Sequence, residues 1–185
     1  MTIRTAALIP AFNEARSIAT VIGGVRDLVD AVVVVDDGST DGTADVARAA
    51  GAYLLGHDTN RGKGFAIRTG LAAVLRGEFT HVLILDGDMQ HLPQEARTLL
   101  GTAARTGADL VVGERVFERS RMPASRYHAN RVGSRVLSWF VGVPLHDTQC
   151  GFRVFRADAL RHLPLTAETR PIDRSGGYDE YTRVP

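Results

Sequence analysis

The residues able to do chemistry in this chain sit in short polar clusters that follow apolar runs. The sharpest is LILDGDMQHLP, residues 83–93, where a buried-looking run gives way to Asp86-Gly87-Asp88. On an extended segment, carboxylates two positions apart point the same way. Hard oxygen donors of this kind select Mg²⁺ or Mn²⁺. Magnesium takes one or two carboxylates and completes its shell with substrate phosphates, so a diphosphate is the implied ligand. The same residues also make an ordinary turn, since Asp-Gly is a common turn dipeptide. His91 follows closely enough to touch such a metal site.

Two further clusters have the same double character. In DDGSTDGT, residues 36–43, Asp37 can accept hydrogen bonds from a nucleobase or ribose, while Asp41 or Thr43 can cap the next helix. In NRGKGFAIRTG, residues 60–70, glycines and the basic Lys63 open a helix, which suits phosphate. It is not a P-loop, because no Gly-Lys-Ser/Thr stands at the required spacing. It is not a dinucleotide fingerprint either, because Ile67 occupies the third glycine position.

The elements that must position these clusters follow from periodicity. Strands are expected at 5–10 (stopped by Pro10), 31–35, 52–56, 80–86 and 108–115. Between them, helices are expected at 14–29 (capped by Asn13), 43–50, 62–77 and 93–106. AVVVV, residues 31–35, is a β-branched run typical of a strand buried on both faces. Alternating strands and helices make an α/β chain with a largely parallel sheet. Such sheets bind ligands at the carboxyl ends of their strands. Glu14, Asp36, Asp37, Asp86, Asp88 and Glu114 all fall at those ends. Like charges gathered there call for a cation or a basic ligand. Residues 125–143 read as one more helix, basic and apolar, with Arg126, Asn130 and Ser134 on one face. It packs on the core, or it presents arginines to an acceptor phosphate and apolar residues to a lipid tail or membrane surface.

Composition bounds the rest. The chain has 185 residues, 44% hydrophobic and 23% charged, with a net charge of +1. That describes a single domain of ordinary core content with no global attraction to nucleic acid. The lone Cys150 makes no internal disulfide, which fits a reducing compartment. No run approaches the ~18 apolar residues of a spanning helix. The first residues lack the pattern of a signal peptide. Gly-x-Ser-x-Gly, His-Glu-x-x-His and paired zinc cysteines are absent from the sequence. The reading is therefore a cytoplasmic domain.

Six segments in order, IPAFNEARSI, VVVVDDGSTDGT, NRGKGFAIRTGL, LILDGDMQHLP, VVGERV and DTQCGFRVFRADAL, resemble the family 2 glycosyltransferases. Within that family the chain is similar to the polyprenyl-phosphate sugar transferases, the dolichyl-phosphate mannose and glucose synthases and their bacterial relatives. The resemblance covers residues 3 to about 163. It implies a GT-A fold, a Rossmann-like, mostly parallel sheet flanked by helices, over residues 1–163, with an irregular tail at 164–185. It implies that Pro10, Phe12 and Glu14 line a nucleotide pocket and that Asp37 contacts the base. Asp86 and Asp88 would hold Mg²⁺ or Mn²⁺ on a UDP- or GDP-sugar, with Lys63 in the donor pocket and Gln90 near the metal shell. Arg115, Arg126 and Asn130 or Arg131 would grip a polyprenyl phosphate, and DTQCGFR would form the acceptor-side loop, with Gln149 and Cys150 where relatives vary. Catalysis would rest on Asp86, Asp88 and Arg115 and would invert the anomeric centre. The expected partners are the nucleotide-sugar donor, the lipid phosphate, the inner membrane surface and a second copy of the chain, with no nucleic acid. The family pattern continues beyond the point where GGYDEYTRVP stops, so a truncated tail is expected. That departure keeps two alternatives open: transfer to a soluble acceptor, and a nucleotide-sugar binder without turnover. A nucleotidyltransferase is disfavoured because IPAFNEA lacks a Gly-rich basic loop after the first strand.

Overall fold

The computed structural model describes residues 3–89, 93–113 and 151–162. The strands are β1 (Thr5–Ala11), β2 (Ala31–Asp36), β3 (Tyr53–Gly56), β4 (His81–Ile84), β5 (Leu110–Val112) and β6 (Arg153–Arg156). The helices are α1 (Ile18–Arg26), α2 (Thr43–Ala49), α3 (Lys63–Val74), α4 (Pro93–Thr106) and α5 (Ala157–Arg161). They build one six-stranded sheet in the order β3-β2-β1-β4-β6-β5.

β1 to β4 are parallel, as the β-branched and apolar runs predict. Every residue of β1 and β2 is buried, because helices cover both faces of the sheet. One face packs Ile18, Val21, Ile22 and Val25 of α1, Ala47 of α2 and Ala96 and Ala103 of α4 against Ala7, Ile9, Val32, Val34 and Leu83. The other packs Ala66, Leu71 and Val74 of α3 and Leu160 of α5 against Leu8, Val33, Val35, Val82 and Ile84. Truncating one of the leucines or isoleucines among them to alanine typically costs about 2–5 kcal/mol. α3 lies so close to the sheet that a Cβ on Gly70 would stand 2.1 Å from Leu8 Cδ1.

Four expectations need correction. β6 was not expected: the acceptor-side loop DTQCGFR was read as running to Arg153, yet Arg153–Arg156 inserts as a strand antiparallel between β4 and β5. α1 begins at Ile18 rather than Glu14, because Asn13 takes a positive φ of 56° and residues 14–17 form a turn closed onto the Glu14 carbonyl. Asn13 therefore caps no helix. Pro10 does not stop β1, which runs on to Ala11. β4 ends at Ile84, so Asp86 lies beyond the strand and Asp88 in the turn that follows it, and Met89 takes a positive φ of 62°.

Pro10 has a positional consequence. Alternate peptides of β1 face β2 and β4. The Leu8 carbonyl accepts from Leu85 N–H on the β4 side, and the Ala11 carbonyl accepts from Asp37 N–H on the β2 side. Pro10, lacking an N–H, therefore falls on the β4 side, just past the last β1–β4 pair, Leu8 with Ile84. The two strands part there. This is also where the strand order reverses, the usual ligand crevice of an open α/β sheet.

Candidate functional site

A cleft of about 310 Å³ opens at that point, lined among others by Pro10, Phe12, Glu14, Asp37, Asn60, Lys63, Asp86 and Asp88. The loops after β1, β2, β3 and β4, four at the carboxyl edge of the sheet, supply these residues, and each is held by contacts that can be named.

The loop after β1 is stapled to DDGSTDGT. Three successive amides, those of Asn13, Glu14 and Ala15, donate to Ser39 Oγ at 2.9 Å, Thr43 Oγ1 at 2.8 Å and an Asp41 oxygen at 3.1 Å. In return, Thr40 N–H donates to Asn13 Oδ1 at 3.0 Å. Asp41 also accepts from the Thr43 amide and hydroxyl, which orders the entry to α2. The Thr43 hydroxyl holds the Asp41 carboxyl below its ordinary value, against the opposing effect of burial, and the Ala15 and Thr43 amides add to it. These staples leave Phe12 45% exposed at the mouth of the cleft. They seat Glu14 over Gly87, where an added Cβ would lie 3.4 Å from Glu14 Cγ. The Glu14 carboxylate accepts from Ser17 Oγ at 2.7 Å.

The loop after β3 is organised by Asp37, which is 2% exposed. Its Oδ1 meets His57 Nδ1 at 2.6 Å and accepts from Arg61 N–H at 3.0 Å. Its Oδ2 accepts from Gly62 N–H at 2.7 Å. Burial pushes the carboxyl up, but the His57 hydrogen bond, the two amides and the facing imidazole outweigh it and hold the pKa below the ordinary value. His57 Nε2 pairs with Thr69 Oγ1 at 2.9 Å, so Asp37 is tied through the imidazole to α3. A carboxylate has about four acceptor sites, and the named donors take three of Asp37's. The fourth, on Oδ2, takes no donor among the described residues, and Asp37 lines the cleft.

The loop after β4 carries Asp86 and Asp88. Asp86 is half-buried, and Lys63 Nζ lies 2.5 Å from its Oδ1. That oxygen is inaccessible to solvent and meets no donor in hydrogen-bond geometry. Gly151 closes its other side: a Cβ there would stand 2.6 Å from Asp86 Oδ2. Asp88 is exposed. Among the described residues no three His, Cys, Asp or Glu side chains form a ready-made cage for a metal. Two carboxylates, one with an under-satisfied buried oxygen, nevertheless fit the shell of Mg²⁺ or Mn²⁺ that is completed by water and phosphate.

Pro10, Phe12, Glu14, Asp37, Lys63, Asp86 and Asp88, singled out from sequence, thus come together in one cleft. Gln90, His91, Arg115, Arg126, Asn130, Arg131, Gln149, Cys150, the 125–143 helix and the 164–185 tail lie outside the described residues. Asn60, His57, Thr69 and Gly151 were missed. Gly151 is brought to Asp86 by the antiparallel pairing of β6 with β4, and a lone buried histidine has no sequence signature. The glycine-rich pattern around Lys63 was the one signal pointing to Asn60.

The comparisons agree with this architecture. The family model described as glycosyl transferase family 2 matches residues 6–163. The undecaprenyl-phosphate mannosyltransferase of Micrococcus luteus is 37% identical over 174 residues, covering 89% of this chain and 71% of that protein. The polyprenol monophosphomannose synthase of Mycolicibacterium smegmatis is 29% identical, covering 89% and 66%. Among solved structures, glucosyl-3-phosphoglycerate synthase from Mycobacterium tuberculosis, in complex with Mn²⁺, UDP-glucose and phosphoglyceric acid, superposes with a TM-score of 0.71 at 26% identity. It covers 87% of this chain and 59% of that one, so the chain spans rather over half the length of that neighbour.

Proposed function

Because the chain belongs to glycosyl transferase family 2, we propose that it moves a sugar from a nucleoside diphosphate sugar, UDP- or GDP-linked, to a polyprenyl monophosphate, with inversion and with a divalent metal. The observation that carries the donor half is Asp86: a buried carboxylate oxygen without a hydrogen bond, beside Lys63, in the cleft where β1 and β4 part. The acceptor half is supported by relatives named as undecaprenyl-phosphate and polyprenol transferases.

Asp86 and Asp88 would hold the metal, Mg²⁺ or Mn²⁺, which when bound supplies Lewis-acid neutralisation of the leaving diphosphate. Pro10 and the exposed ring of Phe12 wall the nucleotide, and the open Oδ2 site of Asp37 accepts from a base N–H. Lys63, at the first residue of α3, adds an ammonium for the phosphates, and a helix N-terminus favours anions. The acceptor phosphate, with a second pKa of about 6, is mostly dianionic at neutral pH. It attacks the anomeric carbon from the face opposite the diphosphate. The new C–O bond forms as the old one breaks, and the electron pair leaves with the diphosphate. No base is required, so positioning carries the rate. Arg115, Arg126 and Asn130 or Arg131 are assigned to hold the acceptor phosphate. Among the described residues no helix is long and apolar enough to cross a membrane. A peripheral seat at the cytoplasmic face and a homodimer belong to this proposal.

The Mycobacterium tuberculosis neighbour, crystallised with phosphoglyceric acid, favours a second reading in which the acceptor is a small soluble phosphate ester. One assay separates them: labelled UDP-glucose or GDP-mannose with Mn²⁺, offered undecaprenyl phosphate or 3-phosphoglycerate. Label in the organic phase is the expected result. Label in the soluble ester supports the second reading. Label in neither, with donor still bound, leaves a binder without turnover.

A further inference from the structure

Two carboxylates in the cleft, Asp37 buried and Asp86 half-buried, are neutralised in opposite ways. Asp37 is pinned by donors that cannot leave: the His57 ring and the amides of Arg61 and Gly62. Asp86 has a partner that can. Lys63 Nζ sits 2.5 Å from Asp86 Oδ1 at the end of a flexible four-carbon stem, and the Lys63 side chain is 51% exposed. Lys63 opens α3, where the helix dipole disfavours a cation, so helix formation does not account for a lysine there. The paired oxygen is shut off from water and lacks a hydrogen bond. Gly151 lies against the far side of the carboxylate, where a Cβ would meet both oxygens, at 2.6 and 2.8 Å. It brings no side-chain donor, so the charge of Asp86 is met from the cleft side, by Lys63.

We infer that Lys63 is a placeholder cation. Its ammonium neutralises Asp86 until a divalent metal arrives, yields Oδ1 to the metal, and turns to the diphosphate of the donor. The inference rests on the reading of Asp86 and Asp88 as the metal-holding pair. A metal arriving alone must displace the ammonium, which then has no partner. A metal arriving with a diphosphate gives the ammonium a new one. The two ligands therefore bind cooperatively, and each strengthens the other by the same factor. Metal–phosphate coordination links the two ligands by itself; what a placeholder lysine adds, and a lysine that merely braces the loop does not, is tighter binding of Mn²⁺ alone once the ammonium is removed.

The test is calorimetry on the full chain with Mn²⁺ alone, and with pyrophosphate in saturating Mn²⁺, for wild type, Lys63→Met, Lys63→Arg and Asp88→Ala. Pyrophosphate is used because it carries no base. Lys63→Met is expected to bind Mn²⁺ alone about fivefold or more tighter than wild type and pyrophosphate about fivefold or more weaker. Lys63→Arg, which keeps the charge, is expected to bind Mn²⁺ alone as weakly as wild type. In chelator, Lys63→Met should melt below wild type, because Asp86 is left unneutralised, and Mn²⁺ should close the gap. The inference is overturned if wild type binds Mn²⁺ with pyrophosphate through Asp88 while Lys63→Met shows no gain for Mn²⁺ alone. If wild type binds no Mn²⁺ even with pyrophosphate, the donor-site reading falls and the inference with it.

Discussion

His57 Nδ1 meets Asp37 Oδ1 at 2.6 Å beneath the cleft, and both residues are at most 6% exposed. With Asp37 ionised the imidazole donates from Nδ1, and its Nε2 pairs with the Thr69 hydroxyl. Asp37 thereby fixes the loop that carries Asn60 and Lys63 while it lines the cleft itself.

Acid stability should report this arrangement. The folded pKa of Asp37 lies below its ordinary value of 3.8. A depressed carboxylate stabilises the fold above the unfolded pKa, and that stability is lost as pH falls through the folded value. Urea unfolding of wild type should therefore weaken below about pH 4. Asp37→Asn should start about 1–3 kcal/mol less stable at pH 7, because the Arg61 and Gly62 amides lose a charged acceptor. It should also show a flatter acid limb. Equal acid limbs in the two proteins would sink the assignment.

Removing the metal ligands should separate binding from folding. Asp88 is exposed, so Asp88→Ala should leave the melting temperature within a degree or two while weakening Mn²⁺ binding, measured with nucleotide present, by about tenfold or more. EDTA should abolish transfer by wild type, and added Mn²⁺ should restore it. Activity that persists in EDTA would count against the metal.

Two glycines should fail in different ways. A Cβ on Gly70 meets Leu8 Cδ1 at 2.1 Å and Val35 Cγ2 at 3.0 Å in the core, so Gly70→Ala should cost about 1–3 kcal/mol in unfolding experiments. A Cβ on Gly151 meets the Asp86 carboxylate instead. Gly151→Ala should lower Mn²⁺–nucleotide affinity about tenfold with a smaller change in stability. Identical profiles for the two variants would contradict the contacts.

Thr43 tests the staple between the loops after β1 and β2. It is fully buried, accepts from the Glu14 amide and donates to Asp41. Thr43→Val leaves that amide without its acceptor and should cost about 1–3 kcal/mol. It should also weaken donor binding, because Phe12 and Glu14 lose their anchor. Unchanged nucleotide affinity in a destabilised Thr43→Val would show that the staple serves stability alone.

Much of this protein is written in local pattern. The β-branched run at 31–35 is buried because only a strand covered on both faces suits it, and the repeat of strand and helix forces a parallel sheet. The rule that parallel sheets bind at their carboxyl ends picks out Asp37, Asp86 and Asp88, and the glycine-rich basic start of a helix picks out Lys63. Other features depend on residues far apart in the chain. RVFR is too short to declare itself a strand; it becomes one because β4 and β5 offer edges on either side. Ser39, Asp41 and Thr43 carry the ordinary marks of a turn, yet three of their oxygens hold amides 26 to 29 residues away. His57 finds Asp37 and Thr69 across 20 and 12 residues. Gly151 reaches the Asp86 carboxylate only because β6 returns antiparallel beside β4. Periodicity records which face of an element is buried. Which polar groups meet at the end of a sheet depends on strand order, and strand order is a property of the packed chain.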